Sequence, residues 1–448
     1  MRIRLESVGC RLNSGEIDAI ARRFVSAGHT VVGADQPADI CVVNTCAVTA
    51  TAARKSRQQI RQLRRDHPTA KVVVTGCLAE LHANDLERLG TDLVVDNVDK
   101  DELPDIVARH GLIDPATGVR GAGVGAPAGS RTRAFLKVQD GCDNRCTFCV
   151  VTVARGVGRS VPADRVVADV RDLLELGYQE VVLSGVHLGS YGHDRREAHG
   201  LEALVRRVLD ETAVRRLRLS SLEPWDLQPE FFDLFVDPRL LPHLHLPLQS
   251  GCDATLGRMA RRTTVARFAD LVEAARRRID GVSISTDIMV GFPGETDREF
   301  AESLATVEAL GFSRLHVFRY SPRPGTAAAD MADQVPGPVA GRRSRRMRDL
   351  GDRLAGRFHR RHLGHHAEVL WEQDEDRGKV RCWSGHTGNY IRVETEVDRG
   401  LELRNRVTEA RLDACVPGGM QATVFDLPAR AQPRHRRAAL NLPVIDRR

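Results

Sequence analysis

The stretch Gly141-Cys142-Asp143-Asn144-Arg145-Cys146-Thr147-Phe148-Cys149 sets three thiols on one short loop, directly after the strand-like run Ala134–Val138. Thiolates so close in sequence can wrap a single soft metal centre. Four would close a tetrahedral zinc site or ligate every iron of a cubane cluster. Three leave a position open. Either a distant His or Cys completes a zinc site, or one iron keeps a free position where a substrate or cofactor binds.

A second set of thiols is spread along the first hundred residues, where strand and helix alternate. Ile3–Glu6, Ile40–Asn44 and Lys71–Thr75 read as strands, with Val94-Val95 as a fourth. Between them lie an amphipathic helix over Glu16–Ala27, with Ser14 as its N-cap and Gly28 at its end, and a basic helix over Ala50–Arg65. This alternation predicts an open parallel α/β sheet. Cys10, Cys46 and Cys77 each follow a strand at once. The carboxyl ends of neighbouring strands share one edge, and ligands bind there, so the three converge in space. Gly9 and Gly76 let the backbone approach closely. The alternative is three buried structural cysteines. Cys41, inside a strand, reads as core.

These motifs carry a resemblance. Cys142-x3-Cys146-x2-Cys149, with the aromatic Phe148 before the last Cys, resembles the signature of radical S-adenosylmethionine (SAM) enzymes. Gly9-Cys10-Arg11-Leu12-Asn13, Asn44-Thr45-Cys46-Ala47-Val48-Thr49 and Thr75-Gly76-Cys77-Leu78-Ala79 are similar to the N-terminal domain of the methylthiotransferases. The resemblance implies two [4Fe-4S] clusters. One, on Cys142, Cys146 and Cys149, binds SAM; an auxiliary one, on Cys10, Cys46 and Cys77, carries the sulfur to be inserted. All six cysteines then belong to the catalytic machinery.

The small-residue stretch Gly118–Ser130 lacks the strand and helix that a phosphate-cradling loop needs, and reads as part of a linker, 102–131. Alternation resumes at Arg133 with strands Ala134–Val138, Glu180–Leu183, Leu217–Leu219, Leu244–Pro247, Ser283–Val290 and Leu315–Phe318. Helices begin near Pro162 and span Val265–Arg278. A six-strand partial (β/α) barrel is expected over 132–362, with distinctive residues following the strands as barrel active sites require. By the resemblance, Ser184 and Gly185 present backbone to the SAM amino group, and Phe148, Ser221, Glu223, Gln249, Gly291 and Phe292 are further cofactor contacts. Ala154-Arg155-Gly156 follows the cysteine loop as in the family, with Thr152 where most members carry Pro. Cys252, where the family has Ser, reads as a small buried residue. His187, His243, His245 and His316 flank strands and read as structural or solvated. Among them His187 stands out, because Val186-His187-x3-Tyr191-Gly192 matches a subgroup motif.

A basic helix over about Arg342–Arg361 is followed by short strands without helices: Ala367–Trp371, Val380–Trp383, Asn389–Val393, Leu401–Val407 and Gln421–Asp426. They predict a small antiparallel β-barrel over 363–427. Gly385–Val393 resembles the TRAM RNA-binding domain. Tyr390 and Trp383 would offer stacking faces and Arg392 a phosphate partner, as single-stranded RNA recognition requires, with a purely structural hydrophobic role as the alternative for either aromatic. The Arg-rich tail, 428–448, would add nonspecific electrostatic affinity. Cys382 and Cys415 receive no role.

The whole is thus an α/β chain: an N-terminal domain over 1–101, the radical-SAM barrel and the C-terminal β-barrel. A net charge of +6 permits a polyanionic partner. No apolar run is long enough to span a membrane, and the opening Met1–Glu6 reads as strand, not signal peptide, so no membrane partner and a cytoplasmic location are expected. In a reducing compartment ten cysteines favour metal ligation over disulfides. Within the family, Gly9-Cys10-Arg11-Leu12-Asn13, Lys55-Ser56-Arg57-Gln58, the His187–Gly192 segment and Leu219-Ser220-Ser221-Leu222-Glu223 look most like the subgroup that methylthiolates C2 of N6-threonylcarbamoyladenosine at position 37 of tRNA. The isopentenyladenosine-modifying and ribosomal-protein-modifying members are the alternatives, and a noncatalytic metal-bound RNA-binding protein stands outside the family. The subgroup implies a tRNA anticodon stem-loop as substrate, an electron donor such as flavodoxin or ferredoxin, and a sulfur donor.

Overall fold

The computed structural model describes residues 1–113 and 132–425. The glycine-rich stretch 118–130 and the basic tail 428–448 lie outside the described residues. The first unit is a five-stranded parallel sheet of β1 (Arg2–Ser7), β2 (Thr30–Val32), β3 (Ile40–Thr45), β4 (Lys71–Gly76) and β5 (Leu93–Val94), in the order β2-β1-β3-β4-β5. Ile40–Val43 and Val72–Val74 are unbroken apolar runs because helices cover both faces, and every one of these residues is buried.

Three details depart from expectation here. The helix expected from Glu16 starts at Arg11, a turn earlier, so its N-cap is Cys10 and Ser14 lies within its first turn. The short edge strand β2 carries too little pattern to be seen in sequence. The segment from 102, expected to be linker, forms the helix Leu103–Arg109. Its Leu103, Ile106 and Val107, with Ile113, pack against Ile3, Ile20 and Phe24, so the first unit runs to 113.

The second unit contains β6 (Arg133–Asp140), the two-residue β7 (Arg159–Ser160), β8 (Glu180–Gly185), β9 (Leu217–Leu219), β10 (His243–His245), β11 (Ser283–Val290) and β12 (Arg314–Arg319). β6, β8 and β9 pair in parallel, as do β10, β11 and β12, and parallel bridges Leu217–Leu240 and Ser221–His245 join the halves. Together they make the expected six-strand partial barrel, with β7 pairing antiparallel to the outer edge of β6. Helix Asp297–Leu310 starts on a capping box, Thr296 with Glu299, a local signal that fixes its first turn. The basic helix Gly337–Arg360 turns Met347, Leu350 and Leu354 into the barrel's outer core.

The third unit is a closed five-strand barrel of β13 (His366–Asp376), β14 (Val380–Thr387), β15 (Arg392–Asp398), β16 (Val407–Val416) and β17 (Gly419–Val424). One closing pair, β15–β17, is parallel, so the barrel is not wholly antiparallel. The strand expected at Leu401–Val407 is displaced: it starts at Val407 and runs to the turn at Pro417–Gly418.

Candidate active site

In a sheet of order 2-1-3-4-5 the crossover direction reverses between β1 and β3, leaving a crevice at their carboxyl ends. Cys10, Cys46 and Cys77 follow β1, β3 and β4 at this edge. The backbone is drawn in tightly. Gly9 has φ +114°, and a Cβ there would stand 2.3 Å from Cys46 Cβ. At Gly76, φ +97°, a Cβ would stand 2.3 Å from the Thr45 carbonyl oxygen. Only glycine fits either position. Asn13 braces the crevice by donating to the Val8 and Thr45 carbonyls, both at 2.9 Å, and its Oδ1 lies 3.6 Å from Cys10 Sγ.

Cys46 and Cys77 are buried and the Cys10 residue is exposed. Burial pushes the Cys46 thiol up to about 12, helped by the charges of Cys10 and Cys77. Cys10 also rises by desolvation, since its sulfur sits inside the crevice although the residue reaches solvent. Thiols held so high are poor nucleophiles in their free form. A metal that displaces the proton and takes the thiolate suits them.

The Cys142–Cys149 loop is closed by Cys142 N–H donating to Gly156 O at 3.0 Å and by Thr147 N–H donating to Met259 O at 3.1 Å. Thr152 Oγ1 donates to Asn144 O at 3.2 Å, a hydrogen bond where the family's Pro would supply stiffness. Phe148 packs edge-on against Phe292, ring centres 6.4 Å apart. Donors surround the sulfurs: Val151 N–H lies 3.5 Å from Cys149 Sγ, and Arg261 Nη1 lies 3.8 Å from Cys146 Sγ. Arg261 is held by Glu223 at 2.7 Å and stacks over Trp225. Burial pushes Cys149 up to about 12. His187 reaches Cys142 and pairs with Asp226. Burial lowers its affinity for a proton, but Asp226 and Cys142 more than reverse this, raising it to about 10.

These donor sets fit thiolates bound to a cluster. Among the described residues no group of three or more His, Cys, Asp or Glu is disposed to hold a single metal ion. In a cubane each thiolate serves its own iron, so the ligands stand wider apart than around one ion.

The segments that carry the two thiol sets pack together. Helix Cys77–Leu81 packs on helix Val151–Arg155, and Ala154 joins the apolar core of the first unit. Arg155, buried between them, donates to Glu16 Oε1 at 2.8 Å, to Asp140 Oδ1 at 2.9 Å and to Asn13 Oδ1 at 3.0 Å. Lys100 approaches Glu16 at 2.7 Å, and Lys137 lies 3.5 Å from Glu16 and 3.3 Å from Asp140. Burial alone would raise the Glu16 carboxyl, but Arg155, Lys100 and Lys137 hold it well below the ordinary carboxylate range. Asn13 thus touches Cys10 on one side and Arg155 on the other.

The remaining expected residues divide. Gly185, Ser221, Glu223 and Gln249 line the strand ends, partly accessible, while Ser184 is buried on β8. Gly291 and Phe292 lie behind the cysteine loop. A Cβ at Gly291 would meet Ala340, and Phe292, 0 % exposed, supports Phe148 from behind. Of the two readings open to them, His243, His245 and His316 take the structural one and line the barrel interior. His243 and His245 both reach Ser285 Oγ, at 3.2 and 2.9 Å.

The aromatic platform expected on the third unit is also corrected. Trp383 lies 0 % exposed in that barrel's core. The Tyr390 ring is stacked between His243 and His386, with Arg11, Arg133 and Arg218 against it. It is the pin that docks the barrel. Arg392 is taken by Glu394 at 2.6 Å. Cys41 and Cys252 are buried as expected.

Sequence reading missed Asn13, Glu16, Arg155, Arg261 and Asp226, which hold or join the thiol loops. The signals were Asn13 and Arg155 standing inside motifs already quoted, and Glu16, a charged residue on the inward side of its helix.

The family model described as uncharacterized protein family UPF0004 matches residues 2–96, and that of the radical SAM superfamily matches 136–307. The threonylcarbamoyladenosine tRNA methylthiotransferase MtaB of Bacillus subtilis (strain 168) is 35% identical, over 87% of this chain and 89% of that protein. Its namesake in Thermotoga maritima is 36% identical, over 88% and 91%. The tRNA-2-methylthio-N(6)-dimethylallyladenosine synthase of Sorangium cellulosum is 32% identical, over 99% of each chain. Among solved structures, the radical S-adenosylmethionine methyltransferase TsrM from Kitasatospora setae superposes with a TM-score of 0.54 at 16% identity, over 73% of this chain and 75% of that one, a likeness of fold. Among the described residues no helix is long and apolar enough to cross a membrane.

Proposed function

From the premise that the chain belongs to the radical-SAM tRNA methylthiotransferases, and so acts on tRNA with SAM and a [4Fe-4S] cluster, we propose that it methylthiolates C2 of N6-threonylcarbamoyladenosine at position 37. Two curated relatives named for that nucleoside, at 35% and 36% identity, support this choice of substrate. The observation that carries the reading is that the segments bearing the two three-thiol sets are joined through one buried ionic network centred on Arg155. In this reading Cys142, Cys146 and Cys149 hold the SAM cluster, and Cys10, Cys46 and Cys77 hold an auxiliary [4Fe-4S] cluster. When bound and reduced, the first would supply the electron that cleaves SAM to a radical able to take the C2 hydrogen, which is not acidic enough for a protein base, and the second would supply sulfur.

The chain's own residues have the tasks of binding, aiming and shielding. Arg261 and the Val151 N–H stabilise anionic sulfur at Cys146 and Cys149. Asn13 and Arg155 keep the Cys10 edge in fixed register with the Cys142 loop. Partly accessible Gly185, Ser221, Glu223 and Gln249 are the SAM-facing positions. The target base, in a single-stranded loop, can be splayed out into the space between the sites. The tRNA body would be met by the third unit and the exposed arginines of helix Gly337–Arg360, not by Tyr390 or Trp383.

The test is mass spectrometry of tRNA nucleosides from a deletion strain, with and without the gene restored. Loss and return of methylthio-threonylcarbamoyladenosine is the expected result. Loss of methylthio-isopentenyladenosine instead would move the assignment to the second reading, which the full-length match to the Sorangium enzyme favours.

A further inference from the structure

β12 is the outer strand of the half-barrel formed with β10 and β11, and its residues alternate between two faces. Leu315 and Val317 pack into the outer apolar core; a Cβ at Gly351 would stand 3.2 Å from Leu315 Cβ. Arg314, His316 and Phe318 therefore turn inward. The His316 ring confirms the direction, meeting His245 of β10 edge-on at 5.5 Å. Phe318 remains 44% exposed and joins none of the apolar cores, an open aromatic face at the carboxyl end of the strand.

The interior cations around this strip are almost all matched. Arg216 and Arg218 hold Glu180, Arg133 holds Glu372, and Arg261 holds Glu223. Arg314 is different. Among the described residues it makes no hydrogen bond and no ion pair. It acts instead on two other basic groups, Arg11 and His316. Among the described residues Arg11, next to Cys10, has no acidic partner and meets only Tyr390, through its hydroxyl and its ring. The acid on the neighbouring strand, Asp287, is engaged by His245 at 3.3 Å. An inward strip with unmatched positive charge at one end and an open aromatic ring at the other is complementary to a flat base carrying an anionic arm.

We propose that Arg314 pairs with the carboxylate of the threonylcarbamoyl arm while the adenine stacks on Phe318, making Arg314 the residue that selects this arm over a neutral one. The inference rests on the substrate reading given above. The spacing agrees with it. Four residues of strand separate Phe318 from Arg314 by roughly 13 Å. A base on the ring, an arm of about 5 Å by ordinary bond lengths and an extended guanidinium span that gap. A dimethylallyl arm would offer Arg314 nothing and would leave its charge in place.

The experiment measures affinities of the cluster-reconstituted full chain, under anaerobic conditions, for two synthetic anticodon stem-loops. One carries threonylcarbamoyladenosine at position 37 and the other plain adenosine. The unaltered protein is expected to prefer the first by roughly 10- to 100-fold, the range for one charge-assisted pair. In Arg314→Gln the preference falls to about twofold or less, with affinity for the plain stem-loop unchanged, and Arg314→Lys keeps part of it. A retained preference in Arg314→Gln overturns the pairing alone, and equal loss of affinity for both stem-loops reassigns Arg314 to a structural role, overturning it too. Absence of any preference in the unaltered protein, with methylthiolation of isopentenyladenosine instead, overturns the substrate reading and the pairing with it.

Discussion

The two thiol sets solve one problem from opposite directions. The Cys142 loop gathers its thiols from eight consecutive residues, and the barrel has only to present the loop. The Cys10 set gathers its thiols from the ends of three strands, so the sheet must form before they come together. One site can survive distortion of the fold around it; the other is the fold's edge. Their surroundings differ accordingly. The Cys142 loop receives donors brought in from afar, Arg261 and His187, whereas the Cys10 set is shaped by local backbone, with glycines at Gly9 and Gly76 and an amide, Asn13.

The sharpest way to break this comparison is to remove one thiol from each set. Cys142→Ala should lower methylthiolated product by at least ~10³-fold and abolish SAM cleavage with it. Cys77→Ala should lower product as much while leaving 5′-deoxyadenosine release within about twofold. If both variants lose SAM cleavage, the division of labour is wrong. Next in size is Arg155→Met, which takes a buried cation from Glu16 and Asp140. Loss of about 3–5 kcal/mol in urea unfolding is expected, and an unchanged midpoint would show the network to be idle. Gly76→Ala forces a side chain into φ +97° against the Thr45 carbonyl, at a cost of roughly 1–3 kcal/mol. It should halve bound iron, because only the strand-end site is deformed.

Acid gives a smaller and graded effect. Glu16 and Asp140 are held below their ordinary values of 4.5 and 3.8 in the folded chain. Their contribution is complete above those values and is lost as pH falls through the depressed folded ones. Stability should then decline by about 1.4 kcal/mol per pH unit for each proton taken up. Glu16→Gln should flatten that decline. Thr152→Ala, which removes one hydrogen bond from the cysteine loop, should cost about 1 kcal/mol and leave the strand-end site untouched.

The difference between the sites also governs what could be read from sequence. The loop's chemistry is contiguous and legible at once. The strand-end site is legible because buried parallel strands are unbroken apolar runs, so Cys10, Cys46 and Cys77 could be placed on one edge without coordinates. Arg155 and Glu16 could not be paired: they are 139 residues apart, and nothing local marks either as a partner. Trp383 and Tyr390 fell on the wrong surface for a related reason. An aromatic on a short strand is equally good as a core residue, a docking pin or an RNA platform, and tertiary packing alone decides. The third unit's strand limits slipped because its alternation continues through Val407–Val416, past the point where a strand of average length ends.

The wide separation of Glu16 and Arg155 also sets an order of events during synthesis. At about 5–20 residues per second, the 139 residues between them take roughly 7–28 s to emerge. In the later part of that interval, once Cys77 has emerged, the sheet can assemble and its three thiols can stand together, while the arginine that will cover them is still unmade. The newborn edge is open to iron, and equally to oxygen, until the barrel arrives and shuts it.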